Sequence, residues 1–409
     1  MHDKDKWSNI FKYEINGGEV TITGYVTNPE GELVIPEKIE GYPVTKIGNM
    51  AFNNCFSLTS VKMPNVHTIG ERAFKECDFL TSVEMPNVHT IGERAFFGCK
   101  SLTSVEMPQV QTIDKEAFAG CTSLTSFVIS PDNKNFSADG GILYNKDKSA
   151  LVAYPSAHGD IEIAESVQTI GVCAFSDCKS LTSVKMPQVQ TIGAYAFEEC
   201  DSLTSVEMPN VQTIGERAFN SCDSLTSVAM PSVQTIGERA FEECDSLTSV
   251  EMPQVQTIDK EAFYKCESLT SVAMPSVKTI DYRAFRRCVS LTSVEMPQVQ
   301  TIDKGAFVRC ESLTSVKMPN VQTIGESAFY KCKSLTSVEM PNVNTISDKA
   351  FYGCHTLVRA YFYSDAPTSF GKSVFDDCGD DFTICYASGT QGWTTPEWNG
   401  YRAEPFDEE

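Results

Sequence analysis

The sequence predicts a β-rich solenoid: a right-handed coil of short strands and short helical or 3-10 turns, capped at both ends. Three observations carry this prediction. A block of 22 residues, Leu247-Thr-Ser-Val-Glu-Met-Pro-Gln-Val-Gln-Thr-Ile-Asp-Lys-Glu-Ala-Phe-Tyr-Lys-Cys-Glu-Ser268 in one copy, recurs from Leu58 to Leu335. A fixed period of this size marks units that cannot bury an apolar face alone and must stack. The apolar residues keep fixed places in every copy, and the pattern fails only at the two ends and once in the middle.

Taken in order, residues 1–45 read as an N-terminal cap hairpin, with Tyr13-Glu-Ile-Asn-Gly-Gly-Glu-Val-Thr-Ile-Thr-Gly24 shielding the open edge of the first coil. Repeats fill 46–129 and 166–355. Within a repeat, Val250-Glu-Met252 alternates with the period of a strand that has one buried face. Pro253 ends that strand, because proline has no N–H to give a ladder. A second extended stretch, Val255-Gln-Thr-Ile258, points Val255 and Ile258 inward. Gly, Asp or Ser follows in each copy (Gly237, Asp259, Ser347), a set suited to N-capping. The next segment is therefore expected to form one or two helical turns with Ala262, Phe263 and Cys266 inward.

Between Cys121 and Cys178 the spacing is 57 residues, and residues 130–165 read as an inserted β-hairpin around Asn145-Lys-Asp-Lys-Ser149. Asp132, Asn133, Asn135 and Asp139 offer oxygen ligands there, but their spacing fails the EF-hand pattern, and no metal is expected. Residues 356–409 read as a degenerate repeat and a C-terminal cap holding Trp393 and Trp398.

A net charge of −21 argues against nucleic acid and against docking on an anionic membrane. No apolar run reaches the ~20 residues of a membrane span. The polar start fits either a cytoplasmic chain or a secreted one that has shed its leader. Fourteen of the sixteen cysteines fall in one register from Cys55 to Cys378. Such a column predicts buried free thiols, since a disulfide framework staples distant segments instead. A Cys378–Cys385 bridge is the one alternative. Eleven of thirteen methionines share a second inward column, Met63 to Met340, and read as core.

The Leu-x-x-Val-x-Met core and the Ile-Gly-x-x-Ala-Phe-x-x-Cys half-repeat resemble the BspA-type leucine-rich repeat family. The Phe136-Ser-Ala-Asp-Gly-Gly-Ile-Leu-Tyr-Asn-Lys-Asp-Lys148 insertion and both caps are similar to that family as well. The unit departs from the commoner family length by one residue, in the turn after proline. The resemblance implies a leucine-rich repeat solenoid, a microbial cell-surface or secreted location, and adhesion to host proteins, matrix or other cells. It implies no catalytic residue and no cofactor.

Catalysis needs unlike groups converging at one place. The histidines are scattered, apart from His67 and His89 in one column, and the serines and threonines recur as architecture. The expected function is a non-enzymatic interaction module, a monomer with a protein or glycoprotein partner. One candidate surface is the outward strand column Lys62, Glu84, Glu106, Lys185, Glu207, Glu251, Glu295, Lys317 and Glu339. Weak repeated contacts along such a column add through effective concentration. A second candidate is the hairpin with Phe136, Tyr144 and Tyr154. The alternative reading is a structural spacer or surface-layer scaffold with no ligand of its own.

Overall fold

The computed structural model describes residues 7–407, and its regular elements from Phe11 to Phe406 are all β-strands. The chain forms a β-solenoid divided into two compact units. One comprises residues 1–161, 165–181 and 195–200; the other comprises 162–164, 182–194 and 201–409.

In the first unit the hairpin Phe11–Asn16/Glu19–Tyr25 pairs antiparallel across Gly17 and Gly18, whose φ of 60° and 84° suit a two-residue turn. Its second strand runs parallel to Tyr42–Ile47 and lies at the N-terminal end of the stack. The short strands Thr68–Ile69, Thr90–Ile91 and Thr112–Ile113 then stack in register. A separate parallel sheet joins Leu58–Lys62, Ser82–Glu84, Ser104–Glu106 and Ser126–Val128. The insertion folds along the solenoid as a meander. Phe136–Asp139, Ile142–Asn145 and Ala150–Ala153 pair antiparallel, and the last returns to Thr169–Ile170 in parallel.

The second unit repeats the plan without interruption. Its rows run from Thr191–Ile192 to Ser369–Phe370 on one side and from Ser205–Glu207 to Ser315–Lys317 on the other. In one coil Leu247, Val250, Met252, Val255, Ile258, Ala262, Phe263 and Cys266 are each at most 1% exposed. Burial of eight such side chains per coil is the main stabilising term. Phenylalanine rings stack along this unit at 5.0–5.3 Å from Phe219 to Phe375. At its C-terminal end Trp393 stacks on Tyr386 at 5.3 Å and Trp398 meets Phe370 edge-on at 4.7 Å.

The expected helical turns are corrected. The segment from Gly237 to Cys244 is a chain of tight turns in which successive N–H groups go different ways. Ala240, Glu242 and Cys244 donate three residues back, to Gly237, Arg239 and Phe241. Arg239, Phe241 and Glu243 donate to carbonyls of the next coil, Lys260, Ala262 and Tyr264, at 2.8–2.9 Å. A helix would spend every N–H within its own turn at φ near −63°. Here Arg239 and Glu243 stand at φ 56° and 60°, which aims alternate donors at the neighbouring coil. Asp259 accordingly opens a turn rather than capping a helix. Its carboxylate accepts from Lys260 N–H at 2.7 Å.

Candidate interaction surface

The outward column stands where the alternation places it. Glu84, Glu106, Lys185, Glu207, Glu251, Glu295, Lys317 and Glu339 are exposed, and Lys62 is half-buried. The column is not a row of free charges. Lys62 reaches Glu32 at 3.1 Å and Glu84 at 3.6 Å, Lys185 reaches Glu207 at 3.4 Å, and Lys317 pairs with Glu295. Exposed pairs of this kind add little stability. They do consume the lysines, leaving Glu106, Glu251 and Glu339 without a cation among the described residues. Glu251 lies between Ala229 and Ala273 on the adjoining strands, so nothing long shades it. Beside Lys317 and Glu339 the face carries a shallow hollow of about 390 Å³ that also includes Met318, Pro319 and Pro341.

The hairpin aromatics are placed differently. Tyr144 is 7% exposed and belongs to the core, which corrects its reading as a contact residue. Tyr154 is structural too. Its N–H donates to Ala174 O at 2.7 Å and its ring lies 5.8 Å from Phe175, the place a repeat phenylalanine would hold. Phe136 is half-buried against the core. Asn133 spends its side chain inside the fold: its amide donates to Pro108 O and Val110 O, and its carbonyl accepts from Asn135 and Phe136 N–H. Asp139 pairs with Lys148 at 2.8 Å. The side-chain oxygens of Asn133 and Asp139 are thus engaged in holding the loop.

The rings of His67 and His89 lie 5.4 Å apart and tilted by 46°. His2 lies outside the described residues. Among the described residues no group of three or more His, Cys, Asp or Glu could hold a metal ion, and no helix is long and apolar enough to cross a membrane.

Two features escaped the sequence reading. The ladder thiols, read in sequence as free core filler, are hydrogen-bond donors as well. Cys77, Cys99 and Cys121 each donate to the carbonyl of a phenylalanine one coil earlier at 3.1 Å. Cys378 keeps this habit toward Phe351 O at 3.4 Å, and no Cys378–Cys385 bridge forms. The second feature is a set of nearly buried carboxylates on the turn face. Glu116, 9% exposed, is held by Arg94; Glu261, 6% exposed, lies between Arg239 and Arg283. The exchange of Arg for Glu at one position of successive repeats was the available signal.

Comparison with known proteins agrees with this geometry. The solved leucine-rich repeat protein of Bacteroides ovatus ATCC 8483 is similar over 97% of this chain and 98% of its own, with a TM-score of 0.54 and 23% identity. That of Eubacterium ventriosum ATCC 27560 is similar over 96% and 97%, with a TM-score of 0.51 and 21% identity. At these identities the likeness is one of fold. No curated protein matches the chain. The profile described as "BspA type Leucine rich repeat region (6 copies)" matches residues 35–140, 154–270 and 256–380. With most of its length so matched, the chain belongs to the BspA-type leucine-rich repeat family.

Proposed function

We propose that the protein is a non-enzymatic interaction module of a cell surface or secreted location, binding host or matrix proteins or other cells through its exposed sheet. The observation that carries this reading is the outward column with its lysines paired and its surplus carboxylates bare. Glu251 stands between two alanines, and Glu106 and Glu339 share its outward position, so each presents an unpaired carboxylate to a partner of opposite charge. No single aromatic or arginine cluster anchors the centre of that face, and repetition replaces it. Several weak sites repeated along one chain raise the effective concentration at the next. The rim-like position of the charges means they act on encounter rate and salt dependence more than on residence time.

The test is binding of the purified chain to an array of matrix proteins, glycans and whole cells. It is repeated with Glu106→Gln, Glu251→Gln and Glu339→Gln combined. These side chains hold nothing inside the fold, so the variant keeps its stability. Binding that weakens with salt in the parent and falls in the variant supports the proposal. Equal binding by both chains refutes the role of the column. Silence across the whole array favours a spacer.

A further inference from the structure

We infer that the interruption in the first unit creates a docking slot for a short extended peptide segment, built around the main-chain N–H groups of Glu116, Phe118 and Gly120. In the coils from Met50 to Gly98 and from Arg217 to Gly353 the three equivalent donors are met by the next coil. Arg94 donates to Lys115 O at 3.1 Å, and Phe96 and Gly98 donate to Ala117 O and Ala119 O at 2.9 Å. Among the described residues the corresponding donors of Glu116, Phe118 and Gly120 have no such partner.

The cause is a shortened coil. Tyr154 takes the place of the repeat phenylalanine, as its bond to Ala174 and the donation of Cys178 Sγ to Tyr154 O at 3.3 Å both mark. It follows Leu151 by three positions, whereas Phe118 follows Ile113 by five. The turn is two residues short (five minus three), and its carbonyls do not reach the waiting donors. A cleft of about 260 Å³ opens in the space left, lined by Ile113, Phe118, Leu151, Ala153, Pro155 and Cys173 among others.

Buried main-chain N–H groups are almost always paired. In the last coil the central donor of the three is capped: the Phe375 N–H is met by the Tyr401 hydroxyl at 3.2 Å. The cleft beside Phe118 has no equivalent stopper. Its size sits just below the ~300–1,000 Å³ of small-ligand sites, enough for a few residues and too small for a folded element.

The occupant follows from the donors. Elsewhere they are satisfied by carbonyls of alternate residues in a neighbouring stretch of chain, with alanine packed against the phenylalanine. The slot asks for the same: an extended peptide with small apolar side chains, added as a rung in the manner of strand addition to an open edge. A simple anion fits worse. The carboxylate of Asp177 stands at the Gly120 end, 3.4 Å from where a glycine Cβ would lie, and the side chain of Glu116 is held by Arg94. This slot is separate from the sheet column and stands whether or not that column binds.

The experiment is amide hydrogen exchange of the full chain, resolved by NMR, with and without the blocked peptide acetyl-Ala-Ala-Ala-amide. In the free chain Glu116, Phe118 and Gly120 should exchange at least ~10-fold faster than Arg94, Phe96 and Gly98, because only the latter are paired. Peptide should slow those three saturably and leave the reference amides unchanged. The variant Ala153→Phe, which fills the cleft, should lose the peptide effect while the reference amides report an intact solenoid. Protection of Glu116, Phe118 and Gly120 in the free chain overturns the proposal. So does a peptide without effect at millimolar concentration. Slowing by acetate or phosphate to the same extent also overturns it, by assigning the donors to an anion.

Discussion

The Sγ of Cys266 lies 3.0 Å from the carbonyl oxygen of Phe241, a residue 25 positions earlier. The same carbonyl accepts Cys244 N–H at 3.4 Å, so two coils share one acceptor. The thiol therefore stitches as well as fills. Cys266→Ala removes both the sulfur's packing and the donor, and should cost about 1–3 kcal/mol in urea unfolding. A loss near zero would reduce the ladder to passive filler.

The ladder thiols should also be chemically silent. Burial pushes Cys244, Cys288 and Cys310 far up from the ordinary thiol range. Even Cys55, toward the N-terminal end, is raised to about 11, chiefly by burial and against the opposing hydrogen bond from Tyr25. Reaction requires the thiolate. Iodoacetamide at pH 8 should leave the native chain unmodified by mass spectrometry and label all sixteen cysteines in urea. Rapid labelling of a ladder cysteine without denaturant would contradict the packed interior.

Phe241 tests the stack itself. It is fully buried, with Phe219 at 5.2 Å and Phe263 at 5.3 Å on its two faces. Phe241→Ala opens a cavity that neighbours on both sides cannot fill, and should cost about 3–5 kcal/mol. In a repeat protein a weak rung also uncouples its flanks. Calorimetry should show the single transition broaden or split. One sharp transition with little loss would rule out nearest-neighbour coupling through this ring.

The parts of the fold that the sequence exposes are those fixed by periodicity. Val250 and Met252 alternate, and Leu247, Phe263 and Cys266 recur, so their inward placement follows from the pattern alone. The helical expectation failed because a helical turn and a chain of tight turns both send Ala262, Phe263 and Cys266 inward. The choice rests on where the N–H groups of Arg239 and Phe241 go, and that partner is a coil away. Tyr154 was misread for a related reason. Its three-residue spacing to Ala157 copies that of Phe175 to Cys178, but the missing cysteine hides the register. The slot beside Phe118 is invisible in sequence, since it is defined by bonds that are not made.

Acidity bears on the turn face of the second unit. The carboxyl of Asp245 is raised above the ordinary value, first by burial and then by repulsion from Glu267 and Glu243, with Lys265 opposing. The folded state thus holds this proton more tightly than the unfolded state does. Its stabilising contribution is complete below the unfolded pKa and is lost as pH rises through the raised folded value. At pH 7 the charge is therefore a liability, and Asp245→Asn should melt higher than the parent. The gap should close as pH falls toward ~3.9, where the parent carboxyl is protonated in both states. Thermal melts at pH 7, 5 and 4 decide the matter. A variant that melts lower at pH 7, or a gap that widens on acidification, would mean that Asp245 is held by Lys265 rather than crowded by Glu243 and Glu267.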